Sequence, residues 1–399
     1  MRLSKDVETL YPDLCRWKDH LHTMPELGLD LPRTAAYVRG CLEDMGVANI
    51  RDGLARYGLV ATLSGRDPGP VLALRADMDG LPIQEDAQHQ VRSDTQGRMH
   101  ACGHDAHMAV LLGVARHFTR HPGQLKGSLK LVFQPGEEGP GGAQPMIEQG
   151  ALKDPDADAI LGLHVWSGLE TGRVGVRPGV IMAAADSFSV TVKGRGGHGA
   201  MPHETVDSIV VACDIIQALQ LIVSRKMDPL KPVALSVGTI KGGCASNVIA
   251  PQVRFTGTFR TLEEKLRDEI SGHIARTVSG VCQLHGADYQ YHRTPGYPPV
   301  VNHRAMTDLV RSQVKSIRGL ILEDDFDPTL GAEDMAYYLR QVPGCFFFVG
   351  AGRDDGKTMP HHHPGFEIDP RAMAVALAVL LRSISAFFTT PPDCLRENP

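Results

Sequence analysis

Ser128-Leu-Lys-Leu-Val-Phe-Gln134 reads as a strand, and it runs directly into Pro135-Gly-Glu-Glu-Gly-Pro-Gly-Gly142. An apolar run that ends in an acidic, glycine-rich loop has the form of a sheet strand opening onto a cleft. Upstream, residues 105–119 place Met108, Leu111, Leu112, Ala115 and Phe118 on one helical face; downstream, residues 159–165 form another apolar strand. Nearer the amino end, 58–63 and 71–76 read as strands. Residues 14–21 and 34–45 carry apolar side chains at helical spacing, with Gly46 as the stop after the second. Strands alternating with helices predict an α/β domain with a mainly parallel sheet, whose sites lie at the carboxyl ends of the strands.

From about residue 184 to 294 the rhythm changes. Phe188, Val190 and Val192 alternate with Ser187, Ser189 and Thr191, and a long helical run follows over 207–224. Strands are predicted at 232–240 and 253–260, a second helix at 262–284, and a short strand at 287–292. This βαββαβ order is that of a split-βαβ sandwich. The α/β pattern resumes at 306–317, 334–339 and 345–349. The sequence therefore predicts a discontinuous α/β domain, residues 1–183 and 295–399, interrupted by an inserted α+β domain at 184–294.

The chain has 399 residues, 42% of them hydrophobic and 22% charged, with a formal net charge of −5. These are ordinary values for a soluble globular protein, and they exclude a disordered or fibrous chain. A mildly acidic balance gives no global reason to expect nucleic acid or an anionic membrane as a partner. The first fourteen residues lack the apolar core of a signal peptide. The longest apolar stretch, 372–381, is cut by Arg382 and is shorter than the roughly 20 residues a bilayer span needs, so it is expected to form a buried or amphipathic helix. Eight scattered cysteines with no CxxC pair predict reduced thiols and a cytoplasmic location.

Chemistry concentrates in four places. Met99-His-Ala-Cys-Gly-His-Asp-Ala-His107 combines thiol and imidazole, the favoured ligands of borderline metals, and Gly103 permits a tight backbone approach between Cys102 and His104. A helix start with solvated histidines accounts for the same letters. Glu137 and Glu138 follow a strand, and extended backbone there would turn their side chains apart, one toward metal and one toward substrate water. An acidic surface turn is the plainer reading. His164 ends the strand Ile160-Leu-Gly-Leu-His-Val-Trp166, where a histidine is commonly a satisfied core residue. His361, His362 and His363 could be a solvated loop, and at most one or two of them can face a single site. Taken together, Cys, His and Glu at the predicted ends of elements in one α/β domain point to metal.

At this point the sequence resembles the dinuclear-metal N-acyl-amino-acid amidohydrolases, which include hippurate hydrolase, bacterial aminoacylases and indole-acetyl-amino-acid hydrolases. They belong to the wider aminoacylase and carboxypeptidase metallopeptidases. The resemblance covers nearly the whole chain. It is carried by Arg75-Ala-Asp-Met-Asp-Gly-Leu-Pro82, the 99–107 cluster, Gln134-Pro-Gly-Glu-Glu-Gly139, Gly162-Leu-His-Val-Trp166, Gly196-Gly-His-Gly-Ala-Met-Pro-His203, Ser246-Asn-Val-Ile249, Gly331-Ala-Glu-Asp334 and His362-His-Pro364.

The resemblance implies that Cys102, His104, Glu138, His164 and His362 ligate two divalent metal ions per subunit, zinc or manganese, with cobalt or nickel as alternatives. His362 is selected by its register before Pro364; His361 and His363 compete for that role. The resemblance further implies that Glu137 is the general base and Asp79 a carboxylate supporting the site. It makes the insertion a lid and dimerisation domain, with His198 reaching the substrate carbonyl in the partner subunit's site and Asn247 and Arg260 holding the substrate's polar groups. The implied activity is hydrolysis of N-acyl-L-amino acids by a homodimer or higher homo-oligomer. A metal-dependent dipeptidase or carboxypeptidase is the neighbouring alternative, and a non-catalytic metal-binding protein or a thiol hydrolase using Cys102 lies further off.

Overall fold

The computed structural model describes residues 3–66, 68–353 and 358–389; Cys394 lies outside them. The chain divides into two compact units. The first comprises the residues up to Ile181, then Val301–Asp327 and the chain from Asp334 onward; the second comprises Met182–Val300 with Pro328–Glu333. The second unit thus begins and ends a few residues outside the expected 184–294. It also recruits a short later segment, because Ala183 donates its backbone N–H to the carbonyls of Thr329 and Gly331.

The first unit is built on an eight-stranded sheet. Its order is Ile50–Leu54, Gly58–Ser64, Ser128–Gln134, Val71–Asp77, Ala159–Glu170, Gly344–Gly352, Arg173–Gly175 and Ile321–Glu323. The four central strands, from Ser128–Gln134 to Gly344–Gly352, pair in parallel, and antiparallel pairs flank them on both sides. The fold is therefore the expected α/β class with a mostly parallel sheet. Every residue of Val71–Asp77 and Gly344–Gly352 is buried, as strands covered on both faces require.

Helices Lys5–His22, His104–Arg120 and Arg371–Thr389 pack together beside this sheet, and Leu14, Leu21, Leu111, Leu112 and Leu377 belong to one continuous core. The apolar 372–381 stretch is a buried helical segment: Ala372 to Leu380 are all inaccessible. By length and composition alone, Arg371–Thr389 and Ser208–Lys226 are apolar enough to cross a membrane; about two-thirds of the first is buried inside the protein and about one-third of the second.

The second unit is a four-stranded antiparallel sheet in the order Val233–Gly242, Gln252–Thr261, Ala184–Lys193 and Asp288–Thr294. Helices Ser208–Leu221 and Glu264–His285 pack on it around Val190, Val192, Phe255, Ile215 and Ile274. This is the βαββαβ order read from the sequence. Asp207 caps the first helix by accepting the N–H groups of Ile209 and Val210, and the helix closes in a π turn at Ile222–Lys226. Asp186 is 2% exposed and grips Arg267, Arg293 and the Gly296 N–H, tying both ends of the unit to its first strand.

Candidate metal centre

The centre is assembled in the first unit at the carboxyl ends of its central strands. Val71–Asp77 delivers Asp77 and, two residues on, Asp79; Ser128–Gln134 leads to Glu137 and Glu138; Ala159–Glu170 carries His164. Cys102 and His104 stand at the start of helix His104–Arg120, on either side of Gly103. Gly103 has φ +93°, and a Cβ there would lie 2.4 Å from Val165 Cγ2, so only glycine fits between the thiol and the imidazole.

Donor atoms from distant parts of the chain converge in three overlapping groups: Cys102 with His104 and His164, Cys102 with Glu138 and His362, and His104 with Glu137 and Glu138. Within each group the donors lie within 4.8 Å of one another. Cys102 Sγ is 3.4 Å from His164 Nε2, His362 Nε2 is 3.0 Å from Glu138 Oε1 without hydrogen-bond geometry, and His104 Nε2 is 4.0 Å from Glu137 Oε2.

The three consecutive histidines have different partners. His362 faces Glu138. Nδ1 of His361 lies 3.9 Å from Cys102 Sγ, while its Nε2 accepts the Ser167 N–H. His363 accepts the Gly365 N–H within its own loop.

One local expectation is corrected. Glu137 and Glu138 do not sit in extended backbone; Glu137–Pro140 is a turn, reached through Gly136 at φ +73° and Gly139 at φ +119°. Both carboxylates consequently fall within reach of His104 instead of pointing to opposite faces. Asp79 holds the turn: its two oxygens accept the N–H groups of Glu137 (2.9 Å) and Glu138 (3.1 Å). Its backbone carbonyl accepts Nδ1–H of His104 at 2.8 Å, which fixes that ring with Nε2 toward the cluster.

Around these groups lies a buried polar cradle to which sequence reading assigned no role. Arg75 donates to Asp77, Asp334 and Gln134, and Asp334 accepts the N–H groups of Gly142 and Ala143, which anchors the far end of the glutamate loop. His107 pairs Nδ1 with Asp77 at 2.6 Å and accepts the Val165 N–H on Nε2, so it braces the backbone beside His164. Arg75, Asp77, His107 and Asp334 all lay inside recognisable motifs, but none was expected to brace the site.

The electrostatics fit a bound cation. Burial and the neighbouring Glu138 and Glu137 push the Cys102 thiol well above its ordinary range. Burial holds His164 well below its usual value, and neutral imidazole is the ligating form. Burial opposes a charge on His104, yet Asp77, Asp79 and Glu138 outweigh it and raise the ring to about 10. His104 Nε2 and Glu138 Oε1 are fully buried with no hydrogen-bond partner. A thiol and carboxylates crowded into a dry pocket, beside orphaned donor atoms, form a set that a divalent cation satisfies.

The remaining expected residues lie in the second unit. His198 and Asn247 are brought together: Gly197–His198 pairs with Val248–Ile249, and Gly199 donates its N–H to the Asn247 carbonyl. His198 Nδ1 accepts the Ala200 N–H, which leaves the proton of the neutral ring on Nε2. Arg260, half-buried near the end of Gln252–Thr261, has no ion-pair partner among the described residues.

Comparison with known proteins matches residues 73–386 to peptidase family M20/M25/M40. Among curated relatives, the chain is 41% identical to an N-acyl-L-amino acid amidohydrolase of Geobacillus stearothermophilus, over 76% of this chain and 80% of the relative. It is 35% identical to thermostable carboxypeptidase 1 of Saccharolobus solfataricus, over 96% and 98% of the two chains. Among solved structures it is similar to the YXEP protein of Bacillus subtilis, described as a dinuclear metal binding peptidase of the M20 family. That similarity has a TM-score of 0.82 and 30% identity over 96% of this chain and all of the other.

Proposed function

The chain belongs to peptidase family M20/M25/M40, and on that premise we propose that it is a metal-dependent amidohydrolase cleaving the amide bond of N-acyl-L-amino acids. The observation that carries this reading is the convergence of thiol, imidazole and carboxylate donors around Glu137. Cys102, His104, Glu138, His164 and His362 would hold two divalent ions, zinc or manganese in the first instance and cobalt or nickel otherwise, with Cys102 common to two of the donor groups. When bound, such ions lower the pKa of a water and polarise an amide carbonyl.

The chain's own residues supply the rest. Glu137 takes the proton of the attacking water and returns it to the amide nitrogen as the C–N bond breaks. Asp79, through the N–H groups of Glu137 and Glu138, positions base and ligand together. His198 carries its proton on Nε2, the form that donates to a developing oxyanion. Arg260 offers an uncommitted guanidinium for the α-carboxylate and Asn247 an amide beside it in function. In this reading His198 serves the partner subunit's centre, and the inserted unit is the lid and the dimer contact. The seven described cysteines are all free thiols, which supports a reducing compartment.

The carboxypeptidase named among the relatives favours a second reading, cleavage of a C-terminal residue from a peptide. A hydrolysis panel of benzoyl-, acetyl- and indole-acetyl-amino acids against dipeptides and longer peptides, run with metal analysis of the purified protein, decides between them. Preference for the acyl-amino acids is expected. Preference for peptides would transfer the assignment, and absence of metal-dependent turnover on both sets would end it.

A further inference from the structure

A second set of ligand atoms lies in the first unit outside the Cys102–Glu138 cluster. His22, the last residue of helix Lys5–His22, points Nε2 at Glu85 Oε1 over 2.9 Å, and His89 brings Nδ1 to within 2.7 Å of the same oxygen. The three donors lie within 4.8 Å of one another. A tetrahedral zinc ion with ligands at about 2.0–2.2 Å sets neighbouring donors roughly 3.3–3.6 Å apart, so Glu85 Oε1 has to draw back from each ring nitrogen by only about half an ångström or somewhat more to admit the ion. Glu85 is fixed from behind by the Ser93 N–H on its other oxygen. His22 is fixed by Asp105, whose Oδ2 lies 2.6 Å from Nδ1. A carboxylate behind the ring is the arrangement that orients a ligating histidine and raises its basicity.

His22 and His89 border a cavity of about 170 Å³ that is also lined by His100 and Asp105, with Lys18 at its wall. His100 is 1% exposed, and neither of its ring nitrogens has a hydrogen-bond partner in the protein. An unsatisfied buried nitrogen is costly unless the cavity supplies a partner. The rings of His100 and His22 have centroids 6.4 Å apart.

We propose that His22, Glu85 and His89 form a site for a borderline divalent cation, zinc, cobalt or nickel, separate from the Cys102 centre, with a water on the ion held by His100. Two imidazoles and one carboxylate favour such ions over magnesium or calcium. The partly exposed His89 gives the ion a path from solvent, while His22 and Glu85 are buried. In the absence of an ion, His22 Nε2 pairs with Glu85 and Nδ1 with Asp105; a bound cation takes the place of the Nε2 proton, which leaves to solvent, while Nδ1–H stays on Asp105.

The test uses the full-length protein, stripped of metal, titrated with zinc(II) and counted by elemental mass spectrometry after removal of free ion. His89→Ala, whose side chain is on a partly exposed loop, and Glu85→Gln are compared with wild type, with circular dichroism to confirm the fold. Each is expected to bind one zinc fewer per chain, or to bind that ion about tenfold or more weakly. Cobalt(II) lost on His89→Ala should carry no thiolate charge-transfer band, and Cys102→Ala should keep the ion. That last arm separates this site from the proposed catalytic centre, because either can fail alone. Equal zinc content in wild type and His89→Ala would overturn the proposal and leave His22 as a structural ion pair.

Discussion

Glu137 and Glu138 differ by one position, and the proposed reading gives them different duties. Both lie near His104, and Glu138 also lies against His362 and Cys102. A carboxylate needed for proton transfer and not for ion retention has a distinct mutational signature. Glu137→Gln keeps the shape and removes the basicity, so kcat is expected to fall by about 10²–10⁴ while metal content and melting temperature stay at wild-type values. Near-wild-type turnover in metal-replete protein would mean that another group moves the proton. The donor residues were legible in the sequence because thiol, imidazole and carboxylate announce their chemistry by type. Of the residues that orient them, Asp79 was implied by the resemblance and the others were not. His107 works through Asp77, thirty positions away, and Asp334 through the loop at Gly142, nearly two hundred away; such roles exist only once the sheet has placed those strands side by side. The turn at Glu137–Pro140 was misread for a related reason, since glycines at 136 and 139 permit a positive φ without requiring it.

At the scale of elements, the start of helix His104–Arg120 is where fold and chemistry meet. The helix was readable from its apolar face, but its first turn is set by Gly103, pressed against Val165 of a neighbouring strand. Gly103→Ala must either push Val165 away or rotate the helix start, and both move Cys102 relative to His104 and His164. The expected result is loss of bound metal together with activity, at a stability cost of about 1–3 kcal/mol from the positive φ and the clash. Retained metal would show that the loop has slack. A second element-scale test lies in the first strand of the inserted unit. Burial works against the Asp186 carboxylate, but Arg267, the Gly296 N–H and Arg293 prevail and hold it below the usual range. A group whose folded pKa is depressed stabilises the protein above its unfolded pKa of about 3.9 and loses that contribution as pH falls toward the folded value. Unfolding monitored from pH 6 to pH 2 is therefore expected to show a decline below about pH 4. Asp186→Asn should flatten that decline and cost about 3–5 kcal/mol at neutral pH, because it leaves two arginines without their buried partner. An unchanged acid profile would relocate the sensitivity to other carboxylates.

On the scale of the whole molecule, the interruption of one unit by another was visible as a change of period, from buried strand runs to strict alternation at Phe188, Val190 and Val192. What the alternation could not reveal is the return of Pro328–Glu333 to the second unit, because that segment contributes backbone hydrogen bonds to Ala183 and carries no apolar periodicity of its own. The physical content of an insertion is that it owns a core. Here that core gathers side chains from both helices and from all four strands, none of them outside Met182–Val300. About 120 residues bury enough surface to fold alone. Residues 182–300 expressed by themselves are therefore expected to unfold in a single cooperative transition that keeps the Asp186 acid sensitivity, losing the hydrogen bonds of Ala183 to Thr329 and Gly331 and the pairing of Gly179–Met182 with Val300–Asn302. The same fragment tests the proposed dimer contact. Val233–Gly242 is an edge strand with Ile240 49% exposed, and helix Ser208–Leu221 leaves Val210 and Leu221 half in solvent. An open edge beside exposed apolar side chains is a surface that a second copy of the strand can extend. Sedimentation of the fragment as a dimer, converted to a monomer by Ile240→Asp with its melting transition intact, would place the contact on this edge. A fragment that folds cooperatively yet remains a monomer at high concentration would remove the inserted unit from that role while leaving its independence as a domain in place.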